Sequence, residues 1–366
     1  MATYYVALSG NFDGGNAGSD AAAGTIADPW LTSQKALDTA VAGDTVYWFG
    51  TQTLAALVDI DTNSGSIAVG LIKHIGSNSA GADDGTMAIL NGDSAAVNCL
   101  KITATSFILM KNIELKNSTS TGLLWASAGS NFTFINVWAH NCGAHGFNMA
   151  TFGAIKIWIR CRAYSNTTSG WNGSQGENFW GCVGYSNSVN GAAVSTVGSN
   201  YNSCVFYSNT TSGLNTLGAG AGTYLVQNCV INNCASGIIV SSTVMNLSMI
   251  GNRITNNATA GISMATGKIA FEDYNYINGN GTNISTAGTA IIIQGGNSTV
   301  GSGTDGYTDA GAGNFNMTSS ATLRQQTISL DGTNISYLSA GLPALIVAIL
   351  ASSKAWLWKQ IYFYYR

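Results

Sequence analysis

The chain has 366 residues and a formal net charge of −3; charged residues make up only 8% of it and hydrophobic ones 46%. Charge this sparse excludes a nucleic-acid footprint, which needs clustered Lys and Arg, and apolar content this high excludes a disordered chain. The seven cysteines are an odd number for a disulfide framework, and no CxxC pair points to zinc. They read as buried free thiols, which suits folding in a reducing compartment.

Residues 3–8 alternate as a strand, and the Gly-, Asn- and Asp-rich residues 9–28 read as a loop. Asp28-Pro29-Trp30 then has the look of a helix start, with Asp as cap and Pro at the first helical position. Trp30, Leu37, Ala40 and Val41 share a helical face, so the expectation is an amphipathic helix running to about Val41. Ala42-Gly43-Asp44 ends it, and Thr45–Phe49 resumes as a strand. Ile67–Ile72, Met87–Leu90 and Cys99–Ile102 are expected strands, with turns at Asp83-Asp84-Gly85 and Asn91-Gly92-Asp93.

From about Lys111 to Asn280 the chain repeats. Asn112, Asn136, Cys161, Cys182, Cys204, Cys229, Asn252 and Asn275 recur at steps of 24, 25, 21, 22, 25, 23 and 23 residues. Five residues on, a second column runs Asn117, Asn141, Asn166, Asn187, Asn209, Cys234, Asn257 and Asn280. A third is glycine: Gly122, Gly146, Gly170, Gly191, Gly213, Gly237 and Gly261. A period in the low twenties means a solenoid, each repeat being one turn that cannot bury its apolar face alone. The segments between columns are β-branched, aromatic or small, as in Phe132–Val137 and Ile155–Ile159, so the repeat is built of strands. Coils stacked about 4.8 Å apart place like residues above one another. The first column is therefore expected to form a ladder of side-chain amides and thiols in the bends. Asn and Gly suit corners because both tolerate left-handed backbone angles. The expected organisation is an N-terminal strand and capping helix (1–50), coils (51–316) and a non-repeat C-terminal segment (317–366). In that last part Leu342–Ala351 is apolar but too short to span a bilayer, and aromatic residues follow it. It is expected to cap the last coil or to contact other subunits.

Tyr4-Tyr-Val-Ala7, Asp28-Pro-Trp-Leu-Thr-Ser-Gln-Lys-Ala36 and Ala42-Gly-Asp-Thr-Val-Tyr47 resemble the opening cassette of right-handed parallel β-helix proteins of the pectate-lyase-like superfamily. Gly313–Arg324 is similar to their closing segment. The resemblance covers about residues 3–324 and implies an all-β right-handed parallel β-helix with a short N-terminal capping helix. It does not choose an activity, since the fold carries lyases, hydrolases, epimerases, adhesins and virion spikes alike.

The repeats are poor in chemistry. Between Ser94 and Asn280 there are four carboxylates, Glu114, Glu177, Glu272 and Asp273. Glu272 and Asp273 are adjacent and alternate faces in a strand. Glu114 and Glu177 are almost three coils apart, roughly 14 Å. Glycoside hydrolysis needs two carboxylates within about 5–10 Å, and the acid motifs that the superfamily's hydrolases and calcium-dependent lyases carry are missing. The weak catalytic candidates are His145, Lys156 and Arg160, with Arg162 sharing the face of Arg160. Ordinary outer-face residues of plain coils are the competing and preferred reading. No metal, cofactor or nucleic acid is expected. Met1–Leu8 lacks the basic n-region and apolar core of a signal peptide. These features together predict a structural virion protein of a bacteriophage, folded in the host cytoplasm. It would be a trimeric decoration, spike or fibre component, facing other virion proteins and a host surface glycan. The alternatives are a polysaccharide lyase or glycoside hydrolase acting on surface glycans, and a cell-surface filament or adhesin.

Overall fold

The computed structural model describes residues 1–337 apart from 94, 96, 127–128, 150–155, 176, 217–221, 242–244, 265–268, 274, 288–290, 295–298, 301–306, 310–313, 318–325 and 329–334, with side chains described up to Ala287. Most of the closing segment and residues 338–366 of the C-terminal segment lie outside the described residues. The fold is an all-β, right-handed parallel solenoid of about 9 turns.

Three parallel sheets run along it. The first includes Thr3–Ala7, Thr45–Phe49, Ile72–Gly76, Lys156–Ile159, Glu177–Trp180 and Met245–Ile250. The second includes Ala88–Asn91, Arg162–Tyr164, Val183–Tyr185, Val205–Tyr207, Val230–Asn232 and Arg253–Thr255. Ile108–Lys116 and Phe132–His140 are long enough to serve both, bending as they cross. The third sheet runs from Val58–Ile60 through Thr121–Trp125, Trp171–Gln175 and Ser212–Thr216 to Thr282–Thr286. The last described parallel pairings are Ile269↔Ile291 and Tyr276↔Thr299.

Strand alternation fills the interior. Phe134, Trp158, Phe179 and Tyr201 lie one per coil with rings 3–12° from parallel. Each is almost fully buried, and stacked rings add to the apolar burial that holds coil on coil.

The bends between first and second sheets resolve the first spacing column into two. Asn112, Asn136, Arg160, Gly181, Ser203, Asn228 and Gly251 hold left-handed φ of 51–68°. One residue later, Cys161, Cys182, Cys204, Cys229, Asn252 and Asn275 face inward. Asn112 and Asn136 thus belong to the left-handed column and not to the same ladder as the other six. The inner ladder is hydrogen-bonded where it is amide: Asn252 Nδ2 donates to Asn275 Oδ1 at 2.8 Å, and Cys229 N donates to Asn252 Oδ1 at 2.9 Å. The next bend shows the same split. Asn141, Ser165, Ser186 and Ser208 are left-handed. Asn166, Asn187 and Asn209 beside them form an amide ladder with steps of 3.0 Å.

The glycine column has another cause. None of its seven members has a positive φ. A Cβ at Gly170 would sit 2.5 Å from the carbonyl oxygen of Gly191, and one at Gly191 2.6 Å from that of Gly213. Glycine is there because the next coil's backbone comes too close for any side chain.

Two expected elements are corrected. The N-terminal helix spans Ser33–Thr39 with Thr32, not Asp28, as N-cap, its hydroxyl accepting from Lys35 N. Trp30 lies before it in extended chain, bridged to Val6 and buried. Asp28 closes a turn by accepting from Ala23 N at 3.2 Å. The apolar spacing of Trp30 reflects core packing and not a helical face. Ile67–Ile72 is not a strand: Ser66 and Gly70 pair around a turn, Ile67 is 88% exposed, and the strand begins at Ile72.

Candidate functional site

The chemistry gathers outside the bend between the first and second sheets. A groove of about 450 Å³ is lined by Asp83, Asp84, Gly85, Lys111, Asn112, Ile135, Asn136, Arg160 and Arg162. Three successive coils supply Lys111 and Asn112, then Ile135 and Asn136, then Arg160 and Arg162. The Asp83–Gly85 turn, from an earlier coil, closes one side.

Left-handed bends aim these side chains outward. Arg160 takes a φ of 54° at a position that Asn, Gly or Ser fills elsewhere in the column. That conformation costs a long side chain free energy, and strain of this kind gathers at functional positions. Asn136 Nδ2 donates to Asn112 Oδ1 at 2.9 Å, and Asn112 Nδ2 donates to Asp83 Oδ1 at 2.9 Å. Asp83 Oδ2 also accepts from Lys111 Nζ. Asn136 Oδ1 accepts from the Trp138 ring N–H at 2.9 Å, and the Arg162 guanidinium lies 4.6 Å over the Trp138 ring. Lys111, Asp83, Asn112 and Asn136 therefore form one hydrogen-bonded wall, and Asp84 and the guanidinia of Arg160 and Arg162 line the same groove. Hydrogen bonds from Thr86, the backbone one foremost, hold the Asp84 carboxyl below its ordinary value.

Beside the groove, on the outer face of the second sheet, Glu114 accepts from His140 Nε2 at 3.0 Å and from Lys116 Nζ at 3.0 Å. The His140 bond is the main cause that holds Glu114 below the usual carboxylate range, against the opposing pull of partial burial. His140 opens a ring stack through Tyr164, Tyr185 and Tyr207 with centroids 4.4–4.9 Å apart. Burial pushes Tyr164 and Tyr207 up to about 12, so they are protonated hydroxyls, not bases, at neutral pH.

The sequence candidates do not come together. Arg160 lines the groove. His145 sits past the next bend, its Nδ1 2.8 Å from Thr168 Oγ1, and burial lowers its pKa. Lys156 is not an outer-face residue at all: it points into the solenoid with no exposed surface. Its Nζ lies 3.9 Å from Glu177 Oε1 and 4.8 Å from the centre of the Trp125 ring. Burial drives its pKa down, and Glu177 partly offsets this. A charged residue cannot be read as inward from its type, and only the in-register partner Glu177 explains it. Glu272 is buried as well. A carboxylate count confined to the repeats passes over Asp83 and Asp84, which read as a plain turn. The signal is Asp83's pairing with Lys111 and Asn112, nearly thirty residues on, while Asp84 is held locally by Asn78 and Thr86. All seven cysteines are buried and free. Among the described residues no group of three or more His, Cys, Asp or Glu gathers closely enough to hold a metal ion.

No protein-family model matches the sequence, and no curated protein matches it. Solved structures do match in shape. A rhamnogalacturonan lyase superposes with a TM-score of 0.57 at 14% identity, covering 82% of this chain and 88% of its own. Pectate lyase Pel9A does so with 0.53 at 14% identity, covering 94% and 90%. An alginate lyase from a Paenibacillus species gives 0.54 at 14% identity, covering 73% and 96%. At such identities the likeness is one of fold: this chain is a right-handed parallel β-solenoid.

Proposed function

We propose that the protein binds an acidic polysaccharide along its outer face, with the groove at the bend as the carboxylate-recognising subsite. The observation that carries this reading is the convergence of Lys111, Arg160 and Arg162 on one open groove beside Asp83 and Asp84. Guanidinia present paired donors that match a carboxylate bidentately, and the amides and carboxylates of the wall suit sugar hydroxyls. A groove running across coils also matches a linear polymer better than a small ligand. Structural neighbours whose names are lyases of pectate, rhamnogalacturonan and alginate add support at the level of fold.

The test is binding of alginate and polygalacturonate, with dextran as the neutral control, to the native chain and to the Arg160→Ala/Arg162→Ala variant. Uronate binding should weaken at least tenfold in the variant, with the circular dichroism spectrum unchanged. Equal binding by both, or none by the native chain, overturns the reading. Following absorbance of unsaturated uronate ends in the same samples separates a polysaccharide lyase from a binding protein.

A second reading, a trimeric virion component of a bacteriophage, is favoured by the seven buried free thiols, which suit assembly inside a reducing cytoplasm. Sedimentation of the full chain tests it: a monodisperse monomer at micromolar concentration counts against a trimer.

A further inference from the structure

The outer face of the second sheet carries a strip that the glycan reading does not use. Val183, Val205 and Val230 stand in register on three successive coils. With Tyr185 and Tyr207 they form an apolar cluster separate from the interior core. Strand alternation points them outward, since Gly184, Phe206 and Ile231 between them face in. Outward side chains of an open sheet face keep much of their surface in water. Here the three valines are 4%, 2% and 2% exposed and Tyr207 is 7%. In the same column Arg253 is 4% and Tyr276 2% exposed, with the guanidinium 4.7 Å over the ring. Among the described elements, the extensive contacts of these strands are with their neighbours in the sheet and along the coil.

We propose that this strip is the docking site of the chain's own C-terminal segment, with Leu342–Ala351 lying against the valines. The segment fits in chemistry and in length. Residues 338–366 contain no Asp or Glu, and 342–351 are apolar throughout. From Val183 to Tyr276 the strip spans five coils, about 19 Å. Ten residues cover about 15 Å as a helix and about 33 Å extended, so either form lies along most of it. An apolar segment left in water would be an aggregation liability, and seating it on the strip removes that liability while accounting for the burial of the outward valines. The assignment is independent of the glycan reading.

Cysteine trapping tests it in the full chain. Val205→Cys is combined in turn with Leu342→Cys, Leu345→Cys, Ile346→Cys or Ile349→Cys, oxidised with diamide, and mapped by non-reducing electrophoresis and peptide mass. At least one pair should close within a single chain at least tenfold faster than in denaturant. Bonds only between chains, which would place a second copy on the strip, or no bond in any of the four, overturn the proposal. As a second measurement, Val205→Asp in the otherwise native chain should speed proteolytic release of residues 338–366 at least tenfold, and release at the native rate overturns it. If the aspartate variant loses its β-sheet circular dichroism, the trapping result decides.

Discussion

Asn187 does three jobs at once. Its Nδ2 donates to Asn209 Oδ1 and to Ala163 O, and its Oδ1 accepts from Asn166 Nδ2. Asn187→Ala leaves a neighbouring amide donor and a carbonyl unsatisfied in a fully buried bend. The expected loss is about 2–3 kcal/mol, read as a lower urea midpoint. His74 is the second residue with a measurable signature. It faces inward on the first sheet with its ring 5.4 Å from Trp48, and burial lowers its pKa to about 3. The unfolded chain takes up the proton near the ordinary 6.5 and the folded one only near 3. The unfolded state therefore binds more protons across that window, and stability falls as pH drops through it. The effect is on the order of 4 kcal/mol by pH 3. His74→Phe should flatten that part of the stability–pH curve, and an unchanged slope between pH 6.5 and 4 would show that His74 is not buried as a neutral ring.

At the scale of elements, the short strands work because the coils come so close. The glycine column lets one coil's backbone reach the next, and each bend pairs a left-handed residue with an inward ladder residue. Gly170→Ala tests the first feature. Its new methyl would meet Gly191 O at 2.5 Å and Ala163 Cβ at 2.9 Å. Overpacking against backbone costs about 1–3 kcal/mol, measurable by thermal or urea unfolding. A neutral result would mean that adjacent coils can slide apart at this corner without loss. Thiols fill the first four positions of the inner ladder, ahead of the amides Asn252 and Asn275, and Cys182 Sγ lies 3.5 Å from Trp158 O. A thiol fills the slot at less desolvation cost than an amide without a full set of partners.

Across the whole molecule, each coil touches only its neighbours, so stability is a sum of coils and the interfaces between them. The aromatic column from Phe134 to Tyr201 overlaps both ladders in the coils between Cys161 and Asn209. Amide exchange should therefore be slowest there and should quicken toward Thr282–Thr286, whose side chains are half-exposed or exposed. Uniform protection by exchange mass spectrometry would instead indicate one all-or-none unit. The groove lies at the N-terminal edge of that region, on three coils whose strands pair in register. Its guanidinia are thus positioned by the scaffold and not by a loose loop.

Periodicity alone determined that the chain is a stacked coil of parallel strands, because every coil must bury the same face against the next and so repeats the same residues. It also located the bends and the closely approached glycines. Tertiary structure decided the phase within each bend. Asn serves both the left-handed and the inward position, so spacing cannot tell Asn136 from the position occupied by Cys161, and a one-residue offset is invisible until strands pair. It also decided that Lys156 points into the core, since an inward charge depends on a partner in the adjacent coil. Only the structure could bring Asp83 to Arg160, because the turn that carries Asp83 lies outside the regular repeat and its place on the outer surface is set by side-chain bonds to Lys111 and Asn112.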